Sequence, residues 1–181
     1  MAEFYGDSHN VRWGVMMQQK RTSCGLACAA MAEVYMKSQA VANMEAIFRA
    51  ISQKFPENFV EDSRGASMDN IVNVLRYRGL LCYNNYDYGS GGVWPYLYTY
   101  AHEFSPVIVY ISWGKGAGAH ATLCTWVYKD DHRVVFLDPA YGLVELAGSQ
   151  LPAYTPKDQS TGAVLANGTL TGQMIITKRM S

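Results

Sequence analysis

The sequence predicts an α+β domain with two lobes, helices packed beside an antiparallel sheet and a cleft between them. Three observations predict it. Helical patterns come first, at 24–37, 41–52 and 68–78. From Pro106 the apolar residues switch to a β-like pattern. Composition supplies the third: 49% of the 181 residues are apolar and 17% charged, enough for a core and too apolar for a disordered chain. One domain over 1–181 is the expectation.

The elements follow in order. Residues 1–17 read as a lead-in, irregular over 1–12, with apolar anchors at Trp13, Val15, Met16 and Met17. The stretch CGLACAAMAEVYMK at 24–37 is rich in Ala, Leu and Met and reads as a helix with Thr22 or Ser23 as N-cap. VANMEAIFRAIS at 41–52 reads as a second helix. MDNIVNVLRYR at 68–78 reads as a third, with Ser67 as cap and Gly79 as stop. Met68, Ile71, Val72 and Leu75 on it form a core stripe. LLCYNNY at 80–86 suits a short strand, GSGG at 89–92 a turn, and 94–103 a short helix with Pro95 in its first turn. The aromatic WPYLYTY at 94–100 reads as an amphipathic helix with its rings in the core, or else as a partner surface. Strands follow at PVIVYISW, HATLCTWVY, RVVFLD and LVEL, with KDDH at 129–132 as a hairpin loop. Residues 147–163 look like loop, and GQMIITK at 172–178 like a last strand.

Charge and cysteine count exclude several function classes. Fifteen basic side chains balance fifteen acidic ones, so a basic groove along a nucleic acid is not expected. No apolar run approaches the roughly 20 residues that span a bilayer, and MAEFYGDSHN has neither the basic nor the apolar part of a signal peptide. Neither nucleic acid nor membrane is therefore an expected partner. Cys24 and Cys28 lie four apart, and Cys82 and Cys124 stand alone. That is not zinc-site spacing, and a chain of this size builds its core without disulfides. No metal or cofactor is expected.

Cys24 is the candidate nucleophile. It opens a helix, where unpaired N–H groups and the positive dipole end favour thiolate over thiol. Gly25 would let a substrate backbone approach. Cys28, one turn deeper, reads as a small buried apolar residue. A lone cysteine here would read as core; its partners change that. His120 follows the small-residue stretch GKGAGA and begins a strand. An imidazole there can take the thiol proton and later protonate a leaving amine. Asp138 ends RVVFLD, far enough from His120 for a strand, a turn and a strand back, so its carboxylate can orient the ring. His9, His102 and His132 lack that setting; His132 reads as exposed in the hairpin and His102 as packing at the end of the 94–103 helix. Gln18, six residues before Cys24, can donate its amide to an oxyanion beside the Cys24 N–H, with Gln19 as the competing donor.

With Gln18 and Cys24 in QQKRTSCGLACAAM, His120 before a strand, and LDPA at 137–140, the chain resembles the papain-like cysteine peptidase superfamily. Two branches are nearest: the double-glycine peptidase domains that process bacteriocin leaders on ABC exporters, and the papain-like effector proteases of bacterial pathogens. The resemblance covers roughly 13–145. It implies a papain-like two-lobe fold, with Cys24 as nucleophile, His120 as base, Asp138 as orienter and Gln18 as oxyanion donor. It implies an endopeptidase acting on a protein or peptide, with a cut at small residues or Gly-Gly. No transmembrane or ATPase segment accompanies the stretch, and the Trp that follows the nucleophile in papains is absent. A delivered effector or toxin acting in a reducing cytoplasm, with a delivery module or an immunity protein as companion, fits better than a secreted digestive enzyme. Two alternatives stand beside this: other Cys–His acyl chemistry (glutamine deamidation, peptidoglycan peptide hydrolysis, transglutaminase-like transfer) and a peptide-binding module.

Overall fold

The computed structural model of the protein describes residues 2–38, 43–56, 59–60, 65–85, 88–102, 104–114 and 118–178. In chain order the elements are β1 (Ala2–Gly6), β2 (Arg12–Met16), α1 (Cys24–Lys37), α2 (Met44–Ser52), β3 (Phe59–Val60), β4 (Gly65–Ala66), α3 (Met68–Tyr77) and β5 (Leu81–Asn85). Then come α4 (Val93–Tyr100), β6 (Val107–Ser112), β7 (Ala119–Tyr128), β8 (Arg133–Asp138), β9 (Gly142–Ala147), β10 (Ala153–Tyr154) and β11 (Gly168–Lys178). Among the described residues, no helix is long and apolar enough to cross a membrane.

The main sheet runs β10-β11-β6-β7-β8-β9, all antiparallel, with β5 pairing the far end of β11. Alternation along its strands divides the core in two. Ile108, Ala121, Leu123, Val135 and Leu137 face α1, α2 and α3. Val107, Val109, Ile111, Cys124, Val134 and Phe136 face the other way, against Val93 and Leu97 of α4 and against Tyr154. Helix α1 lies at the centre of the first cluster, with Gly25 through Glu33 all buried, which is why its sequence is apolar on every side. Helix α3 begins at Ser67, whose hydroxyl accepts from Asn70 N, and stops at Gly79 with φ of 74°.

Several expectations change. The lead-in expected to be irregular over 1–12 is ordered from Ala2 on: β1 and β2 pair as a hairpin, and residue 1 lies outside the described residues. Trp13 and Val15 point inward from β2, and the Asp7 carboxylate gathers N–H groups of His9 and Val11, the Trp13 indole and the Tyr128 hydroxyl. The loop expected at 147–163 contains β10, paired to β11. Helix α2 starts at Met44 rather than at 41; residues 41–42 lie outside the described residues. Helix α4 ends at Tyr100, not at 103, because Ala101 turns extended. Its rings are core only in part: Val93 and Leu97 are buried, Trp94, Tyr96 and Tyr98 are half-buried and pack against the same cluster, and Tyr100 is exposed.

One irregularity places the chemistry. The β7–β8 register shifts between Cys124 and Trp126, leaving Thr125 over as a bulge. Beyond it Tyr128 pairs Arg133; before it Leu123 pairs Leu137. Continued without the bulge, the register would set Asp138 opposite Leu123, on the face away from His120. The extra residue puts His120, Thr122 and Asp138 on one face.

Candidate active site

Cys24 is the first residue of α1 and is half-buried, whereas Cys28, Cys82 and Cys124 are buried; all four are free thiols. Ser23 occupies the cap position, but its hydroxyl donates to Lys20 O and accepts from no helix N–H. The start of α1 therefore keeps unpaired backbone donors around the sulfur. At Gly25 a Cβ would stand 2.5 Å from Ile71 Cδ1, so its missing side chain also makes room for α3 against α1.

His120 and Asp138 meet as the hairpin spacing predicts. His120 Nε2 is 2.8 Å from Asp138 Oδ1, with the histidine 7% exposed and the aspartate 0%. The Cys24 side chain lies close enough to the ring to favour its charged form as well. Burial works against a charged ring, but the hydrogen bonds to Asp138 and Cys24 outweigh it and raise the His120 pKa from 6.5 to about 10. A thiol on an imidazole whose far nitrogen is held by a carboxylate can yield its proton to the ring and attack a carbonyl carbon.

The surroundings are aromatic. Trp113 lies 5.6 Å from the His120 ring, Tyr141 stands edge-on to it at 6.0 Å, and the two meet each other at 5.9 Å. Behind Asp138, the Tyr154 hydroxyl donates to Oδ2 at 2.7 Å. Sequence reasoning missed all three. Trp113, one residue past the end of β6, had a signal in the aromatic that closes PVIVYISW; Tyr154, inside an expected loop, had none.

Gln18 belongs to the turn that leads into Cys24. Its backbone N–H donates to Pro139 O at 2.8 Å, next to Asp138. Its side-chain Nε2 lies 3.1 Å from Lys20 O and 3.2 Å from Arg21 O, and its Oε1 is buried with no partner among the described residues. Gln19 N donates to Glu45 Oε2 at 2.7 Å, which fixes the same turn to α2. On the other side, Gly65 of β4 lies so close that a Cβ would sit 2.2 Å from Thr22 O.

The remaining histidines stay apart. His9 stacks on Tyr128 at 3.6 Å, His102 is exposed, and His132 is exposed at 5.7 Å from the Trp94 ring. The small-residue approach at 114–119 is described only at Gly114, Gly118 and Ala119; residues 115–117 lie outside the described residues. Among the described residues no three His, Cys, Asp or Glu side chains group to hold a metal ion.

Residues 6–158 match the family described as papain-like cysteine protease AvrRpt2. Two solved structures are similar. The peptidase domain of Streptococcus ComA, a bi-functional ABC transporter of a quorum-sensing pathway, aligns with a TM-score of 0.60 at 16% identity over 92% of this chain and 98% of its own. A double glycine motif protease from an AMS/PCAT transporter, solved with its leader peptide, aligns with a TM-score of 0.58 at 18% identity over 92% of this chain and 91% of its own. No protein of curated function matches the sequence. At these identities the structural likeness is one of fold.

Proposed function

The chain belongs to the papain-like cysteine proteases of the AvrRpt2 family, and from that premise we propose that it cuts a protein chain through a thioester on Cys24. The observation that carries the reading is the buried His120–Asp138 pair at 2.8 Å, beside a Cys24 side chain that helps to keep the ring charged. His120 takes the Cys24 proton, and the thiolate attacks the scissile carbonyl carbon. The Cys24 N–H steadies the oxyanion, and the Gln18 amide joins it by giving up one of its bonds to Lys20 O and Arg21 O. The C–N bond breaks, and His120 passes its proton to the leaving amine. Water then attacks the thioester, giving its proton to His120, and the thiolate leaves. Asp138 fixes the ring and balances the imidazolium without moving a proton itself.

Finer readings attach to this one. A cut at small residues or Gly-Gly has its motive in the Gly- and Ala-rich 114–119 that leads into His120. An effector or toxin delivered to a reducing cytoplasm suits four unpaired cysteines. A delivery module or an immunity protein would be its companion. One domain over the whole chain would carry the cleft.

The test is to add the protein to a bacterial lysate beside its Cys24→Ala form and map new protein N-termini by mass spectrometry. Discrete termini made only by the native protein support the reading, and the residues flanking them give the specificity. One-dalton shifts on glutamines without new termini would replace proteolysis by deamidation. Termini made equally by Cys24→Ala would remove Cys24 from the chemistry.

A further inference from the structure

Asp138 has no exposure to solvent, so its two oxygens need partners inside the protein. Oδ1 has three: His120 Nε2 at 2.8 Å, Ala140 N at 2.8 Å and Tyr141 N at 3.1 Å. Oδ2 is held from the other side by the Tyr154 hydroxyl at 2.7 Å. The terminal torsion of an aspartate is broad, so the side chain by itself does not choose the plane in which the carboxylate meets the histidine. Partners choose it. The turn after Asp138 fixes Oδ1, and Tyr154 fixes Oδ2.

Tyr154 is equipped for that work. Its residue is fully buried, its backbone pairs Gly168 in the sheet, and its ring meets Phe136 edge-on at 5.5 Å. Thr122 Oγ1 lies 3.3 Å from the phenol oxygen, and the Trp113 ring 6.1 Å from the tyrosine ring. Burial, and then the charge of Asp138, push the phenol pKa well above its ordinary value, so the hydroxyl stays a donor across the working range.

We propose that Tyr154 is a positioning residue of this site: by holding Asp138 Oδ2 it presents Oδ1 to His120 and so sets the imidazole against Cys24. The proposal rests on the reading of Cys24, His120 and Asp138 as the catalytic group. Tyr154 touches neither the thiol nor a substrate, so its effect passes through Asp138. Removing its hydroxyl leaves Oδ2 buried without its donor and the carboxylate plane held from the Oδ1 side alone.

The probe is iodoacetamide, whose rate of reaction with Cys24 follows the thiolate that His120 sustains and needs no substrate. The wild type, Tyr154→Phe, Asp138→Asn and the double variant are compared between pH 5 and 9 by mass spectrometry of each cysteine peptide. Tyr154→Phe should slow Cys24 labelling at pH 6.5 by about tenfold, the worth of one hydrogen bond to a charged group. In the Asp138→Asn background the same change should cost less than about twofold, because the two act as one unit. Equal losses in both backgrounds, or no loss in either, would overturn the proposal. So would labelling of Cys28, Cys82 and Cys124 in Tyr154→Phe, since those buried thiols react only when the fold opens. Asp138→Asn labelling at the wild-type rate would instead sink the three-residue reading beneath it.

Discussion

The backbone N–H of Gln18 donates to the carbonyl of Pro139 across 2.8 Å. That bond joins the turn entering Cys24 to the turn leaving Asp138. The second turn also aims the N–H groups of Ala140 and Tyr141 at Asp138 Oδ1. Cys24, on a helix of one lobe, and the Asp138 carboxylate, at a strand end of the other, thus share one mount. The pairing that matters chemically is set by backbone, and side chains refine it.

His120→Ala should reduce kcat/KM by at least about a thousandfold, because both proton transfers pass through that ring. Asp138→Asn should be milder, about tenfold to a hundredfold, since it orients and does not transfer. The pH profile separates them further. The His120 pKa is raised to about 10, so the imidazolium persists through neutral pH and the alkaline limb of activity should fall near there. Asp138→Asn removes the larger of the two interactions that raise it, so that limb should move down towards 6.5. Profiles of kcat/KM from pH 5 to 11 on a cleaved peptide decide the matter; an unmoved limb in Asp138→Asn would mean that Asp138 does not govern the ring.

Gln18→Glu keeps the shape of the side chain and removes its donor. As an oxyanion donor, Gln18 should then lose about a hundredfold in kcat with KM little changed. Nε2 lies near the carbonyls of Lys20 and Arg21 as well, so the same change also loosens the turn. A kcat loss far larger than any change in unfolding midpoint assigns the amide to the oxyanion. Parallel losses in both would assign it to the turn alone.

How much of this was legible in the sequence follows from the kind of signal each part leaves. Helix α3 shows as period and cap, helix α1 as an apolar run rich in Ala, Leu and Met, and strands β6 to β9 as β-forming apolar runs between turn residues. The Cys24–His120–Asp138 group is readable because each member sits at an element boundary marked by Ser, Gly or Pro. The Thr125 bulge is not readable: Leu123, Cys124, Trp126 and Val127 satisfy either register equally well. Yet it decides which face Asp138 takes. Tyr154 is invisible for a related reason, since a two-residue strand has no period. At Gly25 a glycine makes room equally for a substrate or a neighbouring helix, and only packing shows the contact with Ile71.

Stability should depend strongly on Arg78. Its guanidinium grips Glu33 with Nε at 2.8 Å and Nη2 at 2.7 Å, joining the ends of α1 and α3. Glu33 is only 3% exposed, so Arg78→Ala leaves a buried carboxylate with Lys37 as its remaining cation. The expected cost at pH 7 is about 2–4 kcal/mol. Burial would raise the Glu33 pKa, but Arg78 and Lys37 prevail and lower it from 4.5. The contribution is therefore complete above about pH 4.5 and is lost as the pH falls through the folded value. Urea unfolding of the two proteins should differ at pH 7, and the gap should narrow as the pH falls below 4.5; a gap unchanged by acid would mean that Arg78 stabilises through packing alone.

Gly65→Ala should damage activity beyond its cost in stability, and Gly79→Ala provides the comparison. Both glycines have positive φ, 72° and 74°, so an alanine at either carries a similar backbone strain, about 1–2 kcal/mol. They differ in what the new methyl meets. At Gly79 nothing lies within 4 Å, whereas at Gly65 the Cβ would stand 2.2 Å from the backbone oxygen of Thr22. A backbone oxygen cannot swing aside as a side chain does, so the turn through Thr22 and Ser23 must shift, and Cys24 follows directly. Helix α1 is buried on all sides and resists moving as a body. The strain then falls on the junction that presents the thiol. Gly79→Ala should lower the unfolding midpoint and leave kcat/KM at folded conditions unchanged. Gly65→Ala should lower both, with kcat/KM down about tenfold or more. Equal kcat/KM in the two variants would show that the Cys24 turn tolerates displacement, and that β4 does not help to place the thiol.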